Sequence, residues 1–298
     1  MKTLSQLLSI SLLLLTACTS DKKTFDASGS FEAEETIISS EAIGTIKAFN
    51  INEGQTLKAG ENIGYIDSIQ LYLKKKQLEA QINAILSKKP NISLQLAALK
   101  EQLKTAEKEQ QRISKLVKAD AATTKQLDDM NASIEVLKKQ IDAQQSSLTI
   151  SSDGINQDIR PLQLQIEQLN DQLAKCKITN PVNGTVLSKY AAVNELTAIG
   201  KPLYKIADLT SILLRVYIAG NQLSQIKLNQ LVKVNTDDGN GKFKQIEGTV
   251  IWINDKAEFT PKTIQTKDER ANLVYAVKIK IKNDGTYKIG MYGEINFQ

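Results

Sequence analysis

The feature that most constrains this chain is a stretch of 117 residues, 73–189, without a single Phe, Tyr or Trp. Residues 65–153 also contain no Gly. A globular core of this size needs large rigid side chains, so the stretch is not expected to form one. Aliphatic residues mixed with Lys, Glu and Gln favour long helices instead. Outside this stretch, the 298-residue chain has enough residues for one or two small β-rich domains.

The composition argues against catalysis. The chain contains no His, which removes imidazole as a general base, as the partner of a Ser or Cys nucleophile, and as a zinc ligand. Its 2 Cys cannot form a four-cysteine metal site. No phosphate-binding loop of the form G-x-x-x-x-G-K-[ST] occurs. We therefore expect no enzyme activity and no cofactor.

The N-terminus indicates the compartment. Lys2 precedes an apolar run from Leu7 to Ala17, which is too short to span a bilayer and is typical of a secretory signal. The run ends in Leu-Thr-Ala-Cys, which resembles a bacterial lipoprotein signal whose Cys18 becomes a diacylated first residue. An ordinary signal peptide with an incidental Cys is the alternative. We expect a soluble body on a lipid tether outside the cytoplasm, and Thr19 and Ser20 give no strong basis for choosing between the inner and the outer membrane.

The aromatic-free stretch has the apolar spacing of a coiled coil. Apolar residues recur every three or four positions, which is typical of a narrow seam between helices. Residues 119–124 predict a reversal between two arms, with Thr123 or Thr124 as the N-cap of the second arm. Pro90 on the first arm and Gly154 and Pro161 on the second predict a joint at similar height on both arms. The seam positions are Leu96, Leu99, Leu103, Ala106, Ile113, Val117, Leu127, Met130, Ile134, Leu137, Ile141, Leu148, Leu162, Ile166, Leu169, Leu173 and Cys176.

Two features of this stretch have competing interpretations. Lysines at 74–76 and 88–89 could form a nucleic-acid or membrane patch, or belong to a solvated helix face. Interspersed acidic residues and the lack of stacking aromatics favour the solvated face, so no nucleic-acid partner is expected. Cys176 could be a reactive thiol or a small apolar packing residue, and its seam position favours packing.

The segments on either side of the helices repeat each other at an offset of 140 residues. Gly44-Thr45-Ile46 matches Gly184-Thr185-Val186, and Gly60 matches Gly200. Gly54 corresponds to Asn194, and both residue types tolerate positive φ in a turn. Two such halves cannot each bury an apolar face alone, so we expect them to complete one β-sandwich, with the helices inserted between them.

Residues 208–298 are predicted to form a separate β-rich domain. Alternation and β-branched content predict five strands, and Asp-Asp-Gly and Asn-Asp-Gly sequences mark turns between some of them. Five or six strands in about 90 residues suit a compact barrel or sandwich. A short helix is expected within 220–230. The predicted strands are Ile212–Ile218, Leu231–Val234, Ile246–Ile253, Val274–Ile281 and Ile289–Phe297.

In this order of parts the chain resembles the HlyD-type periplasmic adaptors, also called membrane fusion proteins. The half-motifs are Ile43-Gly44-Thr45-Ile46…Gly60 and Ile178-Thr179-Asn180-Pro181-Val182-Asn183-Gly184…Gly200. The resemblance implies an elongated α+β fold in which an antiparallel coiled-coil hairpin is inserted in a split lipoyl-like β-sandwich and followed by a β-barrel. The expected domains are a signal peptide (1–17), an anchored linker (18–30), the first lipoyl-like half (31–68), the helical hairpin (69–176), the second half (177–207) and the barrel (208–298).

The hairpin tip carries a second resemblance, to the family motif that docks onto TolC-like outer-membrane channels. The motif has Arg, then Leu four residues on, then Ser seven further, commonly followed by Leu-Asp. Thr replaces Ser here, and a cap for Thr123 and a seam position for Leu116 are the structural alternatives. Arg112 has no evident packing role in the sequence and therefore favours docking. The docking residues predicted by this resemblance are Arg112, Leu116, Thr123, Leu127 and Asp128.

A segment of the barrel resembles a loop of the branch of this family that works with ABC-type exporters. Its predicted transporter-contact residues are Phe259, Thr260, Pro261 and Arg270. The resemblance favours an ABC-type inner-membrane transporter, leaves an RND-type open, and implies a homo-oligomer of six copies. Because the hairpin occupies the junction where true lipoyl domains carry a modified Lys, we expect no covalent lipoyl or biotin group. The competing hypotheses are a periplasmic coiled-coil regulator or scaffold of cell-envelope enzymes and a carrier-domain enzyme subunit.

Overall fold

The computed structural model describes residues 25–237, 243–259 and 273–297. Within these ranges the chain begins with strand β1 (Ala27–Glu32) of a large sheet and continues through half of a β-sandwich into three helices. It then returns through the other half of the sandwich and completes the large sheet. The predicted fold class, a helical hairpin inserted in a split sandwich with a β-barrel beside it, is confirmed.

The β-sandwich consists of two four-stranded sheets, and strands from both sides of the helices contribute to each of them. The strands before the helices are β2 (Glu35–Ser39), β3 (Gly44–Phe49), β4 (Thr56–Leu57) and β5 (Asn62–Ile66). The strands after them are β6 (Lys177–Thr179), β7 (Gly184–Lys189), β8 (Leu196–Thr197) and β9 (Pro202–Ala207). The two sheets have the strand orders β2-β9-β7-β4 and β6-β5-β3-β8.

The internal repeat is confirmed in the backbone. The first residues of β3, β4 and β5 each lie 140 positions before those of β7, β8 and β9. The turn before β4 has Gly54 at φ 83°, and the matching turn before β8 has Asn194 at φ 73°. Gly60 and Gly200 follow in the same relation at φ 83° and 82°. Gly and Asn occupy these positions because positive φ strains most other residues.

The two halves share one core, and a buried polar contact joins them. Ile46 and Ile66 from the first half pack with Val186 and Ile206 from the second. The fully buried Asn180 donates hydrogen bonds from its side-chain amide to the carbonyl oxygens of two residues, and its Oδ1 accepts one from the Tyr204 hydroxyl at 2.9 Å. Neither half could bury its apolar face alone, so the sandwich needs both.

The large sheet closes into a barrel. Its remaining strands are β10 (Ser211–Ala219), β11 (Leu231–Asp237), β12 (Phe243–Ile253), β13 (Glu258–Phe259), β14 (Leu273–Lys282) and β15 (Tyr292–Asn296). The strand order is β10-β1-β15-β11-β12-β14-β13, and a further pairing of β10 with β14 closes it. Phe31 stacks on Tyr287 in its core, with ring centroids 5.2 Å apart. A 3₁₀ turn, Gly220–Gln225, falls where a short helix was expected.

The predicted domain boundaries at the N-terminus are wrong. Residues 27–32, which the sequence predicts to lie in the linker (18–30) and the first lipoyl-like half (31–68), form β1 of the barrel, between β10 and β15. A strand here supplies backbone partners to both neighbours, which would otherwise have unpaired edges. Gly29 allows the close approach, because a Cβ at this position would lie 1.8 Å from the carbonyl oxygen of Arg215.

Three helices form the hairpin: α1 (Ile69–Leu86), α2 (Ile92–Lys118) and α3 (Thr124–Lys175). Both α1 and α2 pack along α3, whose 52 residues extend about 78 Å at 1.5 Å per residue. The buried side chains of the helices are Leu78, Leu96, Ile134, Ile141, Leu148, Ser152 and Ile159. No helix in the described ranges is long and apolar enough to cross a membrane.

The predicted joint exists on one arm only. The first arm breaks before Pro90, and Asn91 caps the new helix by accepting a hydrogen bond from the backbone N–H of Leu94 at 3.1 Å. The second arm passes Gly154 and Pro161 as one continuous helix. A proline inside a helix costs about 3 kcal/mol. We attribute the continuity to packing of α3 against its neighbours on both sides of Pro161, because lateral packing supplies most of the stability of a helix in a protein.

Candidate functional site

The hairpin tip is the candidate site, and its first element is the end of α2. Asp120 has φ 54°, and its N–H donates to the carbonyl oxygen of Val117 at 3.1 Å. The next N–H, of Ala121, donates to the carbonyl oxygen of Leu116 at 2.8 Å. These two bonds form a Schellman motif with Asp in the left-handed position that Gly usually occupies. Leu116 therefore has a structural task, because its carbonyl closes the helix end.

The second element is the start of α3. The Thr123 hydroxyl accepts a hydrogen bond from the backbone N–H of Gln126 at 3.3 Å, and the Gln126 side chain accepts one from the backbone N–H of Thr123 at 2.9 Å. This reciprocal pair is a capping box. The hydroxyl also lies 3.2 Å from the Gln126 side-chain oxygen, to which it donates. The cap predicted at Thr123 is present, and the tip is closed by local bonds on both arms.

Arg112 has an ion-pair partner that the sequence interpretation did not include. Its Nε donates to Glu109 Oε2 at 2.9 Å, one turn earlier on the same helix. The guanidinium lowers the pKa of the Glu109 carboxyl through this hydrogen bond. The Arg112 side chain is still 67% exposed, so it remains available to a partner. The i, i+3 spacing of Glu and Arg on a helix is the sequence signal that identifies this pair.

The predicted docking residues are brought together around the tip but differ in exposure. Leu116 and Leu127 are half-buried on the facing arms, whereas Thr123 and Asp128 are exposed. Asp128 makes no ion pair with any residue in the described part of the chain. The tip thus combines an exposed cation, an exposed carboxylate and partly buried leucines, which is a surface that can recognise another protein.

Polar contacts between the arms hold the tip in register with the rest of the hairpin. Gln110 Nε2 donates to Asn131 Oδ1 across the arms at 3.2 Å. At the break in the first arm, Lys89 Nζ donates to Asn156 Oδ1 at 3.2 Å. These hydrogen bonds specify the register of the two arms along an otherwise apolar seam, because each forms only in one alignment of the helices.

The predicted transporter-contact loop is placed only at its first residue. Phe259 is 80% exposed and pairs with Leu273 at the edge of the barrel. Its neighbour Glu258 forms an ion pair with Arg215 at 3.0 Å. The other predicted residues of the loop, Thr260, Pro261 and Arg270, lie outside the described residues, as does the predicted lipidation site, Cys18.

The surroundings of Cys176 and of the lysines at 74–76 bear on their competing interpretations. Cys176 is 2% exposed in the sandwich core, and burial raises the pKa of its thiol, which favours packing over reactivity. Lys75 and Lys76 both lie near Glu79 on an exposed helix face, at 3.8 and 2.9 Å. No group of acidic or Cys side chains in the described ranges could hold a metal ion.

Comparisons of the sequence find membrane proteins that are similar over most of their length. No protein-family model matches the chain. The UPF0194 membrane protein in the asrC 5'region of Acidithiobacillus ferridurans is 24% identical over 278 residues, covering 87% of this chain and 82% of that protein. The UPF0194 membrane protein YbhG of Salmonella gallinarum is 24% identical over 275 residues, covering 85% of this chain and 82% of that protein.

Solved structures of other proteins resemble this chain in fold. MacA from Actinobacillus actinomycetemcomitans matches with a TM-score of 0.56 and 22% identity, over 90% of this chain and 76% of that one. The membrane fusion protein Spr0693 from Streptococcus pneumoniae R6 matches with a TM-score of 0.50 and 12% identity, over 90% of this chain and 96% of that one. The resemblance to membrane fusion proteins inferred from the sequence is therefore confirmed at the level of fold.

Proposed function

We propose that this chain is the periplasmic adaptor of a tripartite efflux or secretion system. In this role it links an inner-membrane transporter to a TolC-like outer-membrane channel and catalyses no reaction itself. The observation that carries the proposal is the helical hairpin, whose α3 alone extends about 78 Å from the split sandwich and begins at a capped, exposed tip. A long helical hairpin with exposed polar side chains at its tip suits a protein that bridges two membrane-bound complexes.

The proposed arrangement places the anchor and the barrel at the inner membrane. Diacylated Cys18 would hold the chain at the bilayer. Asp26, the residue before β1, follows eight residues later, and its backbone N–H donates to the carbonyl oxygen of Ile295 at 2.8 Å. Fully extended, eight residues span at most about 29 Å, so the barrel would stay near the membrane. Exposed Phe259, with Thr260, Pro261 and Arg270, would contact the transporter, for which the ABC class is favoured.

The oligomer follows from the need to enclose the substrate path. One hairpin cannot surround a conduit, whereas several copies side by side can, and six copies are the number that the family resemblance implies. The membrane fusion protein fold of Spr0693 supports the class of function without specifying the partner. The substrate would be selected by the transporter.

The docking proposal makes Arg112 the residue to test. In cells that contain the transporter and the outer-membrane channel, chemical crosslinking of the hairpin to the channel should be abolished by Arg112→Asp. Lys104→Asp is the matched control, because Lys104 forms the same i, i+3 ion pair with Glu101, at 3.2 Å, and its side chain is 60% exposed. It lies two turns further from the tip.

The expected result is loss of crosslinks with Arg112→Asp and normal crosslinks with Lys104→Asp. Normal crosslinks and normal export with Arg112→Asp would contradict the docking assignment. Co-purification of cell-envelope enzymes in place of a transporter would support the scaffold hypothesis and contradict the adaptor.

A further inference from the structure

A cavity of about 350 Å³ opens on one side of the sandwich, beside the end of α3. It lies between β2 and β6, each of which is the outermost strand of its sheet. Its floor is formed by Ile66, Ile178 and Leu203, which belong to the sandwich core and are 1%, 5% and 1% exposed. We call this space the edge cavity.

The internal repeat explains why the sandwich has a cavity on this side. At the offset of 140 positions Ile38 of β2 corresponds to Ile178 of β6, and both side chains pack on the sandwich core. On the opposite side of the sandwich the outermost strands are β4 and β8, whose equivalent residues Leu57 and Thr197 are both buried. Buried side chains therefore close that side, whereas the β2–β6 side leaves a cavity that reaches the core.

The edge cavity can enclose a small molecule. Ligand sites typically have volumes of about 300–1,000 Å³, with apolar walls and a few charged or polar groups. The edge cavity is at the lower end of this range, so it suits a molecule with one short branched chain or one ring. Binding of such a group on the floor is favourable, because it removes apolar surface from water.

The mouth of the edge cavity carries two charges of each sign. Lys175 and Asp171, both on α3, form an ion pair at 2.7 Å and neutralise each other. Glu41 and Lys177 also line the cavity, and neither forms an ion pair with any residue in the described part of the chain. Asp171 raises the pKa of Lys175 most and Glu41 raises it further, so the Glu41 carboxylate lies near this ion pair. One anion and one cation at the mouth are therefore left for a ligand.

These two charges indicate the head group of the ligand. A zwitterion offers an ammonium group to Glu41 and a carboxylate to Lys177, and both contacts are charge-assisted hydrogen bonds. A molecule with a single charge satisfies only one of the two residues, and a neutral molecule satisfies neither. An α-amino acid with an apolar side chain combines such a head group with an apolar group for the floor, and both of its ends are ionised at neutral pH.

We propose that the edge cavity binds a free α-amino acid with an apolar side chain. The ligand side chain lies on the floor, its ammonium group contacts Glu41 and its carboxylate contacts Lys177. Because residues of α3 and of β2 line the same cavity, the bound molecule contacts the base of the hairpin and the sandwich together. This inference goes beyond the adaptor function and does not depend on it.

Isothermal titration calorimetry of the purified full-length chain with L-leucine tests the site. We expect saturable binding with a Kd of about 1 mM or below. Three analogues test the parts of the ligand, because glycine lacks the apolar group, isocaproate lacks the ammonium group and leucine amide lacks the carboxylate. Each should bind at least tenfold more weakly than L-leucine. Absence of saturable L-leucine binding, or an analogue that binds within twofold of L-leucine, would overturn the proposal.

Variants of the chain test whether this binding occurs in the edge cavity. Glu41→Gln and Lys177→Gln each remove one charge from the mouth and should each weaken L-leucine binding at least tenfold. Ala174→Phe fills the cavity from the exposed last turn of α3, so it should abolish binding with an unchanged circular dichroism spectrum. Glu34→Gln is the control, because Glu34 is an exposed acidic residue that does not line this cavity, and it should change the Kd less than twofold. Unchanged binding by Glu41→Gln and Lys177→Gln would show that the site is wrong.

Discussion

Asn180→Ala should destabilise the sandwich more than any other single removal of a hydrogen-bonding side chain in it. The Asn180 amide donates to the carbonyl oxygens of Lys58 at 2.8 Å and Val182 at 2.6 Å, while its Oδ1 accepts from the Tyr204 hydroxyl at 2.9 Å. Lys58 belongs to the first half and the other residues to the second, so this one side chain bridges the halves. Both Asn180 and Tyr204 are 0% exposed.

The magnitude follows from the partners that are left behind. An unpaired buried group costs about 1–3 kcal/mol. The Tyr204 hydroxyl would bear this cost in full, and the two part-buried carbonyls would bear less because water reaches them. We expect a total loss of about 3–5 kcal/mol in the free energy of unfolding of the sandwich, a large fraction of the stability of a small domain. Hydrogen exchange of the sandwich amides in increasing denaturant measures this quantity without requiring the whole chain to unfold at once.

A double-mutant cycle isolates the Asn180–Tyr204 bond. Tyr204→Phe removes the donor that Asn180→Ala leaves unpaired, so it should cost about 1–2 kcal/mol alone and should recover about 1–3 kcal/mol in the Asn180→Ala background. Asn183→Ala is the matched control: Asn183 Oδ1 also bridges the halves, by accepting from the backbone N–H of Ala59 at 2.8 Å, but this residue is exposed. Its loss should cost about 1 kcal/mol or less. Additive effects of Asn180→Ala and Tyr204→Phe, or a cost for Asn180→Ala no larger than the control, would refute the reasoning.

Three further predictions concern the tip, the barrel and pH. Thr123→Ala should reduce the local stability of the α3 N-terminus by about 1 kcal/mol, because no hydroxyl accepts the hydrogen bond from the Gln126 N–H. Faster amide exchange at the start of α3 measures this loss, and Thr123→Ser should keep the wild-type exchange rate. Gly29→Ala should displace β1, because its Cβ would lie 1.8 Å from the Arg215 carbonyl oxygen, and protease cleavage near residues 25–34 should increase; unchanged cleavage would contradict the barrel assignment of β1. Burial raises the pKa of Tyr204 from 10 to about 12, so its stabilising contribution is complete below pH 10 and is lost as the pH rises towards 12. The unfolding free energy of the wild type relative to Tyr204→Phe should fall by on the order of 2–3 kcal/mol across that interval, so that the variant becomes the more stable of the two, and a constant difference would exclude this origin.

The repeat and the hairpin could be predicted from sequence because both depend on local chemistry. Gly60 and Gly200 mark turns with positive φ, and the offset between them predicts that two halves form one unit. The seam is visible because a narrow apolar stripe recurs over many turns, as at Ile134, Ile141 and Leu148, which are all buried.

The features of the fold that could not be predicted from the sequence depend on contacts between residues far apart in the chain. Ala27–Glu32 is a six-residue strand with no local turn signal, and its barrel partners β10 and β15 follow only after the sandwich and the helices. Pro161 signals a break by its own chemistry, but the packing that carries α3 through it belongs to the tertiary structure.

The sequence predicts only part of the candidate site. The cap is a short-range pattern that the sequence predicts at Thr123 or Thr124, and the spacing of Glu109 and Arg112 is typical of helical ion pairs.

The most direct test of the adaptor function is capture from both ends of one chain in intact cells. A photo-crosslinking residue at the exposed tip residue Ala121, which leaves Arg112 in place, or at Phe259, each in the full-length chain, is activated and the captured proteins are identified by mass spectrometry. We expect an outer-membrane channel protein at position 121 and an inner-membrane transporter at position 259. Capture of the same protein at both positions, or of neither class at either position, would contradict it.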